Sequence, residues 1–302
     1  MANGKRVKPL ATDAATHEAN IAPEEHARAK KSLGQNFLAD RSAAESIVDA
    51  LGDISGRTVL EIGPGRGALT NLLIFRAHHL IAIELDRVLA AQLRMKYANQ
   101  SNVEIIEADV LDVDFGSLLG PRPGSTVTGL TPQAPEKIQV VGNIPYYITS
   151  DILLRLFRYH EHFECIVIMV QKEVADRITA KPGTRDYGLL SATCQLYAKT
   201  EKLFTLAPDA FNPPPKVHSS VLRLTIEPQW EKLNVHPAAF IEFLKLSFGQ
   251  KRKTLANNLK QQYDPKLIRA ALLKAKVNAD VRAEALSLEK AAAVFRSLRT
   301  DE

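Results

Sequence analysis

The chain has 302 residues, enough for one large domain and a smaller one that can each bury a core. With 45% hydrophobic and 24% charged residues it has ordinary globular composition. It contains neither the run of roughly 18 apolar residues that a membrane span needs nor the apolar core of a secretory signal. The net charge of +5 is unevenly spread: residues 199–302 carry 18 Lys/Arg against 11 Asp/Glu, and residues 1–198 carry 21 against 23. A basic C-terminal third beside a near-neutral body suits a polyanionic partner or a merely soluble surface, and charge alone does not choose. Cys165 and Cys194 each lie in an apolar segment and read as buried free thiols rather than a disulfide or a nucleophile. That points to a reducing, cytoplasmic setting.

Residues 1–28 show no sustained apolar periodicity and are expected to form a mobile leader. Residues 40–51 predict a helix, capped by Asp40, with Ala44, Ile47, Val48 and Leu51 on one face. A strand follows at 58–62, a glycine-rich turn at 63–67 and a helix at 68–75. The pattern then repeats as a strand at 80–83, a helix at 87–97 and a third strand at 103–106. Residues 119–136 hold four prolines and three glycines and read as an exposed loop insertion. A strand at 138–141, a helix at 149–158 and a strand at 165–170 come next. A polar loop at 181–187 precedes an apolar helix and is open between substrate contact and plain loop. Two late strands, 199–206 and 217–226, flank the turn at 212–215. Beyond Pro228 the pattern turns helical, at 238–248, 251–259, 265–273 and 288–298. This order predicts an α/β fold: a mostly parallel sheet with helices on both faces, then a small all-helical C-terminal domain. The expected domains are 29–230 and 231–302.

Gly63, Gly65 and Gly67 stand where a strand turns into a helix, so the backbone can bend sharply and a ligand can come close. Glu84 ends the next strand, 19 residues after Gly65, where an acid can accept hydrogen bonds from both hydroxyls of a ribose. Asp109, after the third strand, can receive an adenine amine. The glycines alone also satisfy a fingerprint for nicotinamide dinucleotides; the further acid at the next strand end, Asp109, favours S-adenosylmethionine. Glu61 reads as a packing or solvated residue rather than a ligand.

Asn143, Ile144, Pro145 and Tyr146 follow the fourth strand. The N6 lone pair of adenine is delocalised into the ring and is a poor nucleophile. Two acceptors on its N–H groups, the Asn143 side-chain oxygen and the Ile144 carbonyl, can pull the nitrogen towards tetrahedral geometry. Pro145 stiffens the turn that aims them, and Tyr146 can stack on the extruded base. An ordinary turn capping a strand is the competing reading.

The run 31–259 resembles the ribosomal RNA adenine dimethyltransferase family, which uses the Asn-(Ile/Leu)-Pro-Tyr form of this motif, in its small-subunit branch. The resemblance implies a class I methyltransferase fold, Rossmann-like, with S-adenosylmethionine as cofactor. Residues 31–38 are similar to the family's N-terminal signature, which makes Asn36 and Leu38 cofactor contacts, with Gln35 beside them. The other cofactor contacts fall on Gly63, Gly65, Glu84, Asp109 and Asn143. Phe211 corresponds to the aromatic that holds the target base from its other face. Residues 250–255 resemble the basic helix start of the C-terminal domain, so Lys251, Arg252 and Lys253, with Lys216 and Arg223, are the expected RNA contacts. By themselves such charges are usually a solvated face. The implied reaction is N6,N6-dimethylation of two adjacent adenosines near the 3′ end of 16S rRNA in an immature small ribosomal subunit, by a monomer. The insertion at 119–136 is longer than the family carries there.

Three rivals remain. A 23S rRNA methyltransferase of the antibiotic-resistance type is disfavoured by residues 250–255 and the long C-terminal region. A non-catalytic assembly factor leaves the intact motif idle. A nicotinamide-dependent dehydrogenase has no use for Asn143–Tyr146. No metal is expected: His160 and His162 flank Glu161 but lack a third ligand at helical spacing.

Overall fold

The structure, a computed structural model, describes residues 29–30, 34–119 and 137–299. The leader at 1–28 and nearly all of the 119–136 insertion lie outside the described residues.

A two-residue strand, β1 (Phe37–Leu38), opens the described fold and is followed by α1 (Arg41–Asp49). Asp40 caps α1 by accepting the Ala43 N–H at 3.0 Å. Then come β2 (Thr58–Ile62), α2 (Thr70–Leu73), β3 (His79–Glu84), α3 (Arg87–Lys96), β4 (Val103–Glu107) and α4 (Phe115–Leu119). The next group is β5 (Ile138–Asn143), α5 (Thr149–Arg158), β6 (Phe163–Gln171), α6 (Lys172–Ile178) and α7 (Leu189–Tyr197). The strands β7 (Ala198–Leu206), β8 (Phe211–Asn212) and β9 (Ser219–Ile226) complete the β structure. The remainder is helical: α8 (Trp230–Leu233), α9 (Pro237–Ser247), α10 (Leu255–Leu259), α11 (Pro265–Lys274) and α12 (Leu288–Arg299).

Seven strands form one sheet in the order β4-β3-β2-β5-β6-β9-β7. The first five run parallel; β9 is antiparallel to both β6 and β7. The parallel strands are apolar along their length because helices cover both faces. Alternation divides their side chains. Leu60, Val140, Ile166 and Ile168 join the core under α5, while Val59, Val141, Val167 and Met169 join the core under α1 and α2. The strand order reverses between β2 and β5, which places a crevice at their carboxyl ends. Both cysteines are free and buried, and burial pushes their thiols up to about 11 for Cys165 and about 12 for Cys194.

A third core joins Tyr187, Ala192 and Leu196 to Phe240, Phe243, Leu272 and Phe295. The helices after residue 230 therefore close their core against α7.

Several expectations need correction. The helix expected at 68–75 is only four residues long, because Gly67 and its turn run on to Leu69. The helix expected from 251 begins at Leu255. Thr254 caps it, accepting the Asn257 N–H at 3.3 Å, and Lys253 N–H turns back to the Gln250 carbonyl at 3.0 Å. Lys251, Arg252 and Lys253 thus stand on a turn before the helix. The paired strands β1 and β8 and the helix α6 have no counterpart in the periodicity.

Candidate active site

A cleft opens at the switch point, at the carboxyl ends of β2, β3, β4 and β5. It encloses about 780 Å³, open solvent at its mouth included. The strand ends bring together residues far apart in sequence: Gly63 and Gly65 after β2, Glu84 ending β3, Asp109 beyond β4, and Asn143 ending β5.

The glycine turn is bound directly to the first acid. Gly65 donates its N–H to Glu84 Oε2 at 2.9 Å, and the Asp86 N–H donates to Oε1 at 2.8 Å. Burial pushes the Glu84 carboxyl up, and these backbone donors pull it back. Gly65 has φ +59°, and a Cβ there would lie 2.9 Å from the Phe37 ring. The turn therefore requires glycine, and Phe37 covers it, with the Arg66 guanidinium 4.3 Å above the ring.

Glu61 is buried at 1% exposure and accepts the Thr70 hydroxyl at 2.7 Å. Burial raises its carboxyl to about 8. It is a packing residue, as its sequence context suggests. The folded chain binds this proton more tightly than the unfolded chain, so stability falls as pH rises from about 4.5 to about 8. A Glu61→Gln variant is expected to match the parent's melting temperature near pH 5 and to exceed it at pH 8.5. Calorimetry across that window checks this, and equal melting temperatures at the upper end refute it.

Asp109 lines the cleft and accepts the Leu111 N–H at 2.9 Å. Asn143 donates its Nδ2 to the Asn36 carbonyl at 2.9 Å. That fixes the amide, and no donor among the described residues reaches its Oδ1. Ile144 buries its side chain and Pro145 leads into a single turn of 3₁₀ helix. The Tyr146 hydroxyl meets Ser219 Oγ at the start of β9, at 2.5 Å. Burial pushes that phenol up, so it stays protonated.

The outer wall is formed by the segment ahead of β1. Gln35 donates Nε2 to Asp86 Oδ2 at 3.2 Å, and Lys30 Nζ meets Asp86 Oδ1 at 2.8 Å. Burial would raise the Asp86 carboxyl, but the bonds from Lys30 and Gln35 outweigh it and hold the group below its usual range. The exposed Tyr147 ring packs against Gly34.

Other expected site residues lie elsewhere. Leu38 and Phe211 face each other across the β1–β8 pair, and both are buried in the core under α1 rather than lining the cleft. Arg223 is spent within the fold: it approaches Glu201 at 3.6 Å and donates to the Ala50 carbonyl at 3.3 Å. It sits four residues along β9 from Ser219, with its side chain 37% exposed. Lys216 borders a shallow groove with Lys172, Asp176 and His218. Lys251 and Lys253 border a separate cleft between Tyr187 and the C-terminal helices, and Lys251 Nζ donates to the Arg185 carbonyl at 3.1 Å. Sequence reasoning missed Phe37 and Tyr147, two aromatic walls of the main cleft. The available signal was an aromatic adjoining each motif. The residues present fit an adenosine-bearing group: a carboxylate at a ribose position, a second at an adenine position, and glycines that leave room for backbone approach.

The family model described as ribosomal RNA adenine dimethylase matches residues 26–300. Among curated proteins, the chain is 60% identical over 270 residues to ribosomal RNA small subunit methyltransferase A of Koribacter versatilis, covering 89% of this chain and 94% of the relative. It is 54% identical over 270 residues to the protein of the same name from Acidobacterium capsulatum, covering 89% and 91%. Among solved structures it is similar to a dimethyladenosine transferase from Plasmodium falciparum, with TM-score 0.70 and 25% identity over 85% of this chain and 95% of that one. It is also similar to the 23S rRNA methyltransferase ErmE, with TM-score 0.64 and 28% identity over 88% and 100%.

Proposed function

Because the chain belongs to the ribosomal RNA adenine dimethylase family, we propose that it dimethylates N6 of two adjacent adenosines near the 3′ end of 16S rRNA, acting as a monomer in the cytoplasm on the small ribosomal subunit. The observation that carries this reading is Asn143, whose amide is locked by the Asn36 carbonyl at the edge of the nucleoside cleft.

S-adenosylmethionine is the methyl donor, and it supplies an electrophilic methyl group on a sulfonium. Glu84 accepts the ribose hydroxyls, its backbone donors leaving lone pairs on both oxygens. Asp109 receives the adenine amine. Asn143 Oδ1 and the Ile144 carbonyl accept the two N–H groups of the target amine and localise its lone pair. Tyr146, tethered to Ser219, gives the base a face to stack on. No general base acts beforehand, because the nitrogen sheds its proton after it has become cationic. Orientation accordingly does most of the catalytic work.

Phe211 reaches a substrate base only if β8 shifts from its buried place, so its stacking role stands as part of this proposal. Lys251, Arg252 and Lys253, exposed on their turn, and Lys216, three residues before Ser219, are assigned to RNA phosphates. The names of the relatives, which specify the small subunit, support that substrate over the large subunit.

The test is incubation with methyl-tritiated S-adenosylmethionine and small subunits lacking the adenine methylations, followed by nucleoside analysis of the digested RNA. Labelled N6,N6-dimethyladenosine from small subunits, and none from large ones, is expected. Label in large-subunit RNA alone would move the assignment to the 23S reading. Cofactor binding without label in either would point to an assembly factor.

A further inference from the structure

A single buried carboxylate ties the outer wall of the cleft to its floor. The Asp86 side chain is 1% exposed. As the cap of α3 it accepts the Val88 N–H on Oδ1 at 3.0 Å, and a cap needs no more than that. Yet Oδ1 also receives Lys30 Nζ at 2.8 Å, and Oδ2 receives Gln35 Nε2 at 3.2 Å. The ring closes on itself, because the Lys30 N–H donates to Gln35 Oε1 at 2.8 Å. The Asp86 N–H meanwhile holds Glu84 Oε1 at 2.8 Å, so the same residue orients the acid placed at the ribose. Gln35 and its neighbours Gly34 and Asn36 line the cleft, while the Lys30 side chain is 47% exposed and reaches in from solvent.

We propose that Lys30 and Asp86 are positioning residues: their ion pair latches Gln35 and Asn36 over the cleft and thereby sets how tightly and how long the cofactor is held. This rests on the reading of the cleft as the S-adenosylmethionine site. Neither residue lines the cleft. Lys30 acts through Asp86, and Asp86 acts through Gln35 on one side and Glu84 on the other. The bolt can be drawn from outside, because Lys30 is half-exposed and contributes no apolar contact to a core. Removing it leaves the cap of α3 and the sheet in place.

The experiment compares Lys30→Met and Lys30→Arg with the unaltered full chain. Affinity for S-adenosylmethionine and for S-adenosylhomocysteine is measured by calorimetry, and the dissociation rate of each by stopped flow. KM for cofactor, KM for RNA, kcat and the melting temperature of the cofactor-free protein are measured alongside. Lys30→Met is expected to weaken both ligands by about tenfold, chiefly through faster dissociation, as the loss of one charge-assisted bond to a buried acceptor allows. The loss appears in KM for cofactor, not in kcat. Lys30→Met also lowers the melting temperature, because it leaves the buried Asp86 carboxylate without its cation, and Lys30→Arg restores both the melting temperature and, to within about threefold, the affinity. Unchanged affinity in Lys30→Met overturns the proposal. So does a loss confined to KM for RNA, which would make Lys30 a phosphate contact. A lowered melting temperature that Lys30→Arg does not rescue would make the pair merely structural. Failure of the unaltered protein to bind S-adenosylmethionine would instead remove the cofactor reading itself, before any variant is compared.

Discussion

Asn143→Ala is expected to lower the single-turnover rate of methyl transfer by about a hundredfold or more, the loss typical when a group that orients or polarises the reacting atom is removed. In the proposed mechanism its Oδ1 is the acceptor for one N–H of the target amine. The variant also loses the bond from Nδ2 to the Asn36 carbonyl, so cofactor affinity should fall too, by no more than about tenfold, the worth of one hydrogen bond at a half-buried position. The rate measured on undermethylated small subunits must therefore fall further than the affinity measured by calorimetry. Equal losses would mean that Asn143 only braces the wall.

Gly142→Ala should disable the site without touching any ligand. Gly142 pairs with Ile62 in the centre of the sheet, and a Cβ there would lie 2.6 Å from the Ile62 carbonyl oxygen. The obstacle is backbone, and the β2–β5 pair is flanked by β3 on one side and β6 on the other, so no side chain can swing away to relieve it. One of two segments has to move: the end of β2 that leads into Gly63, or the end of β5 that carries Asn143. Overpacking of this kind costs about 1–3 kcal/mol, or roughly 3–10 °C in melting temperature for a chain of this size. Because a misplacement of about 1 Å at reacting groups can cost a hundredfold, kcat/KM should fall at least tenfold beyond what partial unfolding explains. An unaltered melting temperature with full activity would show that the strands part easily and that the glycine is incidental.

The parallel strands could be read because burial on both faces leaves short, nearly unbroken apolar runs, and those runs appear at residues 58–62, 80–83, 138–141 and 165–170. The acids of the cleft were legible for a related reason. In this topology the five parallel strands end at the same edge, so a polar residue at the end of one of them is already a candidate. Strands β1 and β8 are only two residues long and carry no periodicity. Their pairing sends Leu38 and Phe211 into the core and turns Phe37 towards the glycine turn, which no local pattern encodes. At 251–253, lysine and arginine are good helix formers, but the Thr254 cap decided where the helix begins. Arg223 reads as a free cation in sequence and is committed only because antiparallel pairing sets it opposite Glu201.

The pairing of Leu38 with Phe211 also orders events on the ribosome that makes this protein. A chain growing from its N-terminus displays the glycine turn, Glu84, Asp109 and Asn143 well before it reaches residue 211. Until then β1 has no strand to lie against, and Tyr146 has no Ser219 to hold its hydroxyl. The sheet itself stays open at β6, because the strand that belongs between β6 and β7 is the last to be made. The strand that carries Ser219 to the Tyr146 hydroxyl and fills the gap between β6 and β7 is thus made after every acid of the cleft.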